Sequence, residues 1–148
     1  MIYVDASPVL AFLLPDEVFT RETTALFGEW RETQESMIAP ALLLFKVLSG
    51  LRLAAYASRI DVDQADQTYA TFRQMPIRIS HVDSLTDRCW GLGKLLNPPR
   101  RYDASYLALA DIEDCEVWTA DRRFVRFVAG RSPRLRWVGK EVQDDGSA

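Results

Sequence analysis

The sequence MIYVDASPVLAFLLP occupies residues 1–15 and joins a short strand to a helix. Its apolar opening, IYV, is rich in β-branched and aromatic residues and ends at Asp5, which predicts a buried strand. Ser7 and Pro8 then predict the start of a helix, with serine at the cap and proline in the first turn, and Pro15 predicts its end. A buried strand followed at once by a helix is typical of α/β proteins.

The same alternation continues along the rest of the chain. Further strands are predicted over residues 37–39, 77–82, 117–119 and 135–138. Helices are predicted over residues 20–31, 40–56, 61–73, 84–96, 102–111 and 122–128. The pattern therefore predicts a three-layer α/β/α sandwich around a mostly parallel sheet of four or five strands.

Length and composition limit the class of protein. The 148 residues, 48% of them hydrophobic, predict one globular domain over residues 1–140 with a disordered tail over 141–148. With 18 basic and 21 acidic residues the net charge is −3, so contact with nucleic acid requires a local basic patch. Two cysteines are too few for a disulfide scaffold, and the apolar runs are too short to cross a membrane. We expect a cytoplasmic protein.

Three aspartates are placed where α/β proteins bind ligands, beyond the carboxyl ends of the strands. Asp5 and Asp121 each follow a predicted strand, and Asp103 lies at the start of a predicted helix. Asp103 and Asp121 are equally well explained as helix N-caps, whereas Asp5 is not, because Ser7 is available to cap its helix. Three converging carboxylates repel one another unless a cation neutralises them, and oxygen ligands favour Mg²⁺ or Mn²⁺.

Four motifs, spaced over nearly all of residues 1–140, carry a family resemblance. In chain order they are Ile2-Tyr3-Val4-Asp5-Ala6-Ser7 with Leu13-Leu14-Pro15, Ala39-Pro40-Ala41-Leu42-Leu43-Leu44-Phe45, Tyr102-Asp103-Ala104-Ser105-Tyr106-Leu107-Ala108-Leu109-Ala110 and Thr119-Ala120-Asp121-Arg122-Arg123-Phe124. Each is similar to a motif of PIN-domain proteins, especially of VapC-type toxins. Together, in this order, they are far more specific than any one of them alone.

The resemblance implies an α/β/α sandwich that acts as a metal-dependent endoribonuclease, the toxin half of a toxin–antitoxin pair. It implies that Asp5, Asp103 and Asp121 are catalytic metal ligands and that Thr119 supports them with its hydroxyl. In such a site Mg²⁺ activates a water molecule and stabilises the leaving oxygen during phosphodiester hydrolysis. The resemblance also implies an antitoxin partner, and we expect a homodimer.

One position departs from the family pattern. Lys46 stands where the family has a glutamate of the metal site, and residues 36–60 contain no Asp or Glu that could replace it. An ammonium there repels Mg²⁺, so we expect it to take the place of the cation by pairing with Asp5, Asp103 or Asp121. Two explanations stay open: natural degeneration that leaves a binding protein, or an inactivating change in a toxic nuclease.

A basic stretch follows the last acidic motif. Residues 122–140 contain seven Lys or Arg residues and no acid. Arg122, Arg123 and Arg126 are the candidates for binding RNA phosphates beside the acidic pocket. A solvated basic face or an antitoxin-binding surface explains this stretch equally well.

The leading interpretation is therefore a VapC-like ribonuclease whose metal site is impaired by Lys46. The alternative is a catalytically inactive PIN module that binds RNA or an antitoxin-like protein. A phosphatase related to the haloacid dehalogenases is disfavoured, because Ser7 stands where that family needs a second aspartate. A dinucleotide-binding domain is disfavoured by the absence of a glycine-rich loop after the first strand.

Overall fold

Five short parallel strands form the centre of the molecule. The computed structural model describes residues 1–96, 104–128 and 130–139. Within them the strands are β1 (Ile2–Val4), β2 (Met37–Pro40), β3 (Ile77–Ser80), β4 (Glu116–Thr119) and β5 (Leu135–Trp137). They form one sheet in the order β3-β2-β1-β4-β5, and every neighbouring pair is parallel. The predicted parallel α/β architecture is confirmed.

Seven helices connect the strands in the described part of the chain. They are α1 (Ala6–Leu13), α2 (Thr20–Glu32), α3 (Leu42–Tyr56), α4 (Val62–Gln74), α5 (Leu85–Leu96), α6 (Ala104–Ile112) and α7 (Arg122–Val128). The helix predicted over 40–56 begins later, at Leu42, because Pro40 is still part of β2. None of the described helices is long and apolar enough to span a bilayer. The predicted tail over 141–148 lies outside the described residues.

The sheet is buried because helices cover it. Helix α1 contacts α2, α3 and α4, and α3 also contacts α4, whereas α6 packs on β1, β2 and β4 and contacts α5. Tyr3 and Val4 in β1 are fully buried, as are Leu43 and Val47 on the inner side of α3. Each such aliphatic side chain stabilises the fold by roughly 1.5–3 kcal/mol relative to an exposed position. A strand covered on both faces requires this continuous apolar sequence.

The strand order places one crevice in the fold. From β1 the chain moves outward to β2 and β3, and it then returns to the other side of β1 to form β4 and β5. The connections after β1 and β4 therefore diverge at the carboxyl ends of two neighbouring strands. In open α/β sheets this divergence creates the ligand-binding crevice. Asp5 follows β1 and Asp121 follows β4, so both lie at this point.

Candidate functional site

Asp5 is buried at the junction of β1 and α1. Asp5 is only 2% exposed, and it is the N-cap of α1, with an extended backbone conformation. The Ala6 N–H donates to Asp5 Oδ1 at 2.6 Å, and the Asp5 N–H donates to the Trp118 carbonyl oxygen at 3.0 Å. The prediction that Ser7 caps this helix is wrong. Ser7 already lies within the first turn, so Asp5 is the residue that meets the free N–H groups.

Two hydroxyl groups hold the second oxygen of Asp5. Ser7 Oγ and Thr119 Oγ1 each lie 2.9 Å from Asp5 Oδ2 and donate to it. The Ala120 N–H donates to Ser7 Oγ at 2.9 Å, which ties the end of β4 to the start of α1. The sequence predicted a supporting hydroxyl at Thr119 but missed Ser7. An Asp-x-Ser sequence across a helix start was the signal that could have found it.

Lys46 supplies a positive charge to the same carboxylate. Its Nζ atom lies 3.2 Å from Asp5 Oδ1 and 5.0 Å from the centroid of the Tyr106 ring. Lys46 lies on α3 next to Leu43 and Val47, which are buried on the inner side of this helix. Its side chain keeps about a third of its surface exposed, whereas that of Asp5 is almost fully enclosed. The sequence predicted that Lys46 pairs with an aspartate, and the structure identifies Asp5 as a partner.

Asp121 is the N-cap of α7, as the alternative interpretation of its position predicted. Its Oδ1 accepts from the Arg123 N–H at 2.8 Å and from the Phe124 N–H at 3.3 Å. Its own N–H donates to Thr119 Oγ1 at 3.1 Å. Thr119 therefore contacts both the Asp5 carboxylate and the backbone of Asp121. Asp103, the third predicted acid, lies outside the described residues.

The carboxylate of Asp5 is fully occupied by protein donors. Oδ1 accepts from Ala6 and Lys46, and Oδ2 accepts from Ser7 and Thr119. A carboxylate has about four acceptor sites, so a metal ion reaches Asp5 only by displacing one of these groups. Among the described residues no three His, Cys, Asp or Glu side chains form a metal-binding group. In this arrangement the described residues do not fit a resident divalent cation.

Part of the predicted basic patch is neutralised by ion pairs. Arg134 contacts Asp111 at 3.2 Å and Asp114 at 2.7 Å, and Arg136 contacts Glu116 at 2.7 Å. These arginines are held against acids that are distant in the sequence. They are therefore poor candidates for binding RNA phosphates.

The three arginines of α7 are arranged differently. Arg122 stacks on the Trp137 ring, with its guanidinium carbon 5.1 Å from the ring centroid. Arg123 is 87% exposed and lies 4.0 Å from Asp121 Oδ1, and Arg126 is also exposed. All three follow directly on the acidic crevice. The prediction that they bind RNA stays open.

A separate groove lies at the other end of the sheet. It has a volume of about 730 Å³ and lies where β2 and β3 begin. Its lining includes Phe27, Trp30, Arg31, Met37, Met75 and Arg78. None of the residues around Asp5 lines it, so this groove is distinct from the candidate site.

Comparison with known proteins gives a consistent result. No family model matches the sequence. The chain is 34% identical over 125 residues to Ribonuclease VapC9 of Mycobacterium tuberculosis and to a VapC ribonuclease of Mycobacterium bovis, and each match covers 83% of this chain and 87% of the relative. Its fold is similar to the crystal structure of Mycobacterium tuberculosis VapC20, described as a Sarcin-Ricin loop cleaving toxin. That match has a TM-score of 0.62 and 17% identity and covers 87% of this chain and 94% of VapC20.

Proposed function

This chain belongs to the VapC family of PIN-domain ribonucleases, and we propose that it is an endoribonuclease that hydrolyses RNA phosphodiester bonds, with its metal site impaired by Lys46. The observation that supports the proposal is the crevice between β1 and β4, where the Thr119 hydroxyl links the Asp5 carboxylate to the backbone of Asp121. Asp5, Asp103 and Asp121 are its proposed acidic site residues. Thr119 holds Asp5 in place.

The cofactor of the unimpaired site is Mg²⁺ or Mn²⁺ in this proposal. Carboxylate oxygens are the ligands that these ions prefer, and a glutamate at position 46 would add one more. In the chain as it stands Lys46 donates to Asp5 and repels a second cation. We therefore expect weak or absent cleavage by this sequence and cleavage by Lys46→Glu.

RNA is the proposed substrate, and the exposed arginines of α7 are its proposed contacts. Arg123 and Arg126 extend from a helix whose first residue follows Asp121, so they are suited to hold phosphates beside the scissile one. Arg122 is held against Trp137 and contributes its charge from a fixed position. The net charge of −3 leaves this local patch as the source of attraction.

An RNA cleavage assay tests the proposal. The unmodified chain, Lys46→Glu and the double variant Lys46→Glu with Asp5→Asn are incubated with RNA in MgCl₂ and in EDTA. We expect cleavage by Lys46→Glu in MgCl₂ only, and its loss in the double variant. If Lys46→Glu is folded and inactive on a broad set of RNAs, the nuclease proposal fails.

The second candidate is a catalytically inactive PIN module that binds RNA or an antitoxin-like protein. The contact of Lys46 with Asp5 favours this candidate, because the ammonium already supplies the positive charge that a metal ion would supply in an active nuclease. The same assay separates the two candidates when RNA binding is measured alongside cleavage. If the unmodified chain and both variants bind RNA and none of them cleaves it, the inactive module is supported.

The proposal includes an antitoxin partner and a homodimer. Support for self-association comes from α3, whose exposed face carries Phe45, Leu53 and Tyr56 at 68%, 63% and 87% exposure. Sedimentation at micromolar concentration tests the dimer, with Leu53→Glu expected to weaken it and Val18→Glu, at an exposed site outside α3, expected to leave it intact. A monomer at all concentrations contradicts this part of the proposal. The cytoplasmic location stays a prediction that cell fractionation checks.

A further inference from the structure

Lys46 places a protein ammonium directly on the carboxylate that the family resemblance assigns to a metal. This inference rests on the proposed impairment of the metal site and deepens it: we propose that Lys46 is a built-in cation that replaces the divalent metal of this site. The chain then holds its crevice together without metal and excludes Mg²⁺ from Asp5. The proposal rests on the contacts of Asp5 and applies whether or not the protein cleaves RNA.

The first support is the burial of Asp5. Its side chain is 3% exposed, and a buried carboxylate is stable only when hydrogen bonds and an opposite charge compensate for its lost hydration. Ala6, Ser7 and Thr119 supply neutral hydrogen bonds. Among the contacts described for Asp5, Lys46 is the one that supplies a full positive charge, at 3.2 Å. This is the role that a metal ion has in an acidic crevice.

The second support is the way the ammonium is held in place. Lys46 extends from α3, which is anchored by Leu43 and Val47, and its Nζ atom faces the Tyr106 ring of α6 at 5.0 Å. A cation over an aromatic face is attracted by the negative charge of the ring. The carboxylate and the ring thus favour the same position of the ammonium. Lys46 is a positioning residue for Asp5 that is present in every folded molecule.

The third support is competition. A tethered group acts at an effective concentration of millimolar or higher, and it does not diffuse away. For Mg²⁺ to bind Asp5, the ammonium must leave, and the two cations repel each other if it stays nearby. Oδ2 offers no alternative, because Ser7 and Thr119 already donate to it. Millimolar Mg²⁺ should therefore leave the protein unchanged.

Thermal unfolding in 10 mM MgCl₂ and in EDTA tests this proposal. We expect the Tm of the unmodified chain to be the same in both. Lys46→Glu should have a lower Tm in EDTA, since two carboxylates then face each other, and it should recover in MgCl₂. Lys94→Glu makes the same charge change at an exposed lysine of α5 and should show no response to MgCl₂.

Two outcomes overturn the proposal: a Tm of the unmodified chain that rises with MgCl₂ as much as that of Lys46→Glu, or a folded Lys46→Glu that ignores MgCl₂. If Lys46→Glu does not fold, Mn²⁺ binding followed by electron paramagnetic resonance decides with Lys46→Gln. We expect no bound Mn²⁺ with the unmodified chain and bound Mn²⁺ with Lys46→Gln; equal binding by both overturns the proposal. Metal binding by Lys46→Glu without RNA cleavage rejects the nuclease function and leaves this inference intact.

Discussion

The hydroxyl oxygens of Ser7 and Thr119 lie 3.1 Å apart, although 112 residues separate them in the sequence. Both donate to the same oxygen of Asp5, at 2.9 Å. One buried carboxylate oxygen therefore joins the start of α1 to the end of β4. The crevice of the candidate site is held by this junction, and its stability and its geometry depend on the same contacts.

Thr119→Val should destabilise the protein. Valine has nearly the same shape but lacks the hydroxyl that donates to Asp5 and accepts from the Asp121 N–H. The buried Asp5 carboxylate and the partly buried Asp121 N–H each then lose a partner, and we expect a loss of about 1–3 kcal/mol in the free energy of unfolding. Urea denaturation measures it. Thr24→Val, at an exposed site in α2, should change the free energy of unfolding by less than about 0.5 kcal/mol.

Arg59 should make stability depend on pH in the acid range. It binds Asp16 through two hydrogen bonds of 2.7 Å and also contacts Glu17 at 2.8 Å. Arg59 lowers the pKa of Asp16 below its ordinary value of 3.8. A lowered folded-state pKa stabilises the protein above the unfolded-state pKa, and this stabilisation is lost as the pH falls through the folded-state pKa.

The Tm difference between the unmodified chain and Arg59→Gln should accordingly be constant from pH 7 to about pH 5 and shrink below about pH 4. Arg52→Gln, at an exposed site in α3, serves as the control and should show a small difference at every pH. A Tm difference for Arg59→Gln that grows toward low pH would contradict the assignment of this ion pair.

Cys115 should be unreactive in the folded protein. Burial raises the pKa of its thiol to about 11. At pH 8 only about 0.1% is then thiolate, compared with roughly 9% at the ordinary value of 9.0. Alkylation of Cys115 by iodoacetamide, followed by mass spectrometry, should be about a hundred-fold slower in the folded protein than in the chain unfolded in urea. Equal rates in the folded and unfolded chain would contradict this environment.

Replacing Arg123 and Arg126 together by alanine should weaken RNA binding and reduce its salt dependence. Each phosphate contact on single-stranded RNA contributes about 0.7 to the slope of log K against log salt, so the slope should fall by about 1.4. Arg21 and Arg73 are also exposed and form the matched control pair. If both double variants bind RNA equally, the contact surface lies elsewhere.

The fold was predictable where the sequence signal is local. Residues 2–4 are apolar throughout, and such a run is what a strand covered on both faces requires. Pro40 was assigned to a helix start, where proline is common. It ends β2 instead, beside Ser80 of β3. Proline suits both positions, and only the pairing of the strands decides between them.

The candidate site was predictable in its residue types and less so in its contacts. The sequence predicted Ser7 as the cap of α1, whereas the structure has Asp5. The boundary of a helix depends on backbone angles, which the sequence predicts only to within a residue or two. The sequence predicted an acidic partner for Lys46 but offered three. The contact with Asp5 depends on how α3 packs against α1 and β2, which no local sequence pattern contains.

The basic stretch illustrates the same limit. A run of seven Lys or Arg residues without an acid suggests a continuous positive surface. In the structure Arg134 reaches Asp111, 23 residues earlier in the chain, and Asp114. Acids distant in sequence thus neutralise part of a run that looks uniform. The exposed arginines of α7, together with Arg131 after it, are what remain of this run in the described residues.

The contact of Lys46 with Asp5 is the central claim, and a double-mutant cycle tests it most directly. Asp5→Asn, Lys46→Met and the double variant are unfolded in urea beside the unmodified chain. We predict that the two single changes together cost about 1–3 kcal/mol more than the double variant, because Lys46→Met leaves the buried Asp5 carboxylate without this positive charge, whereas the double variant removes both charges. Costs that add to within about 0.5 kcal/mol would show that the two residues do not interact, and would contradict the account.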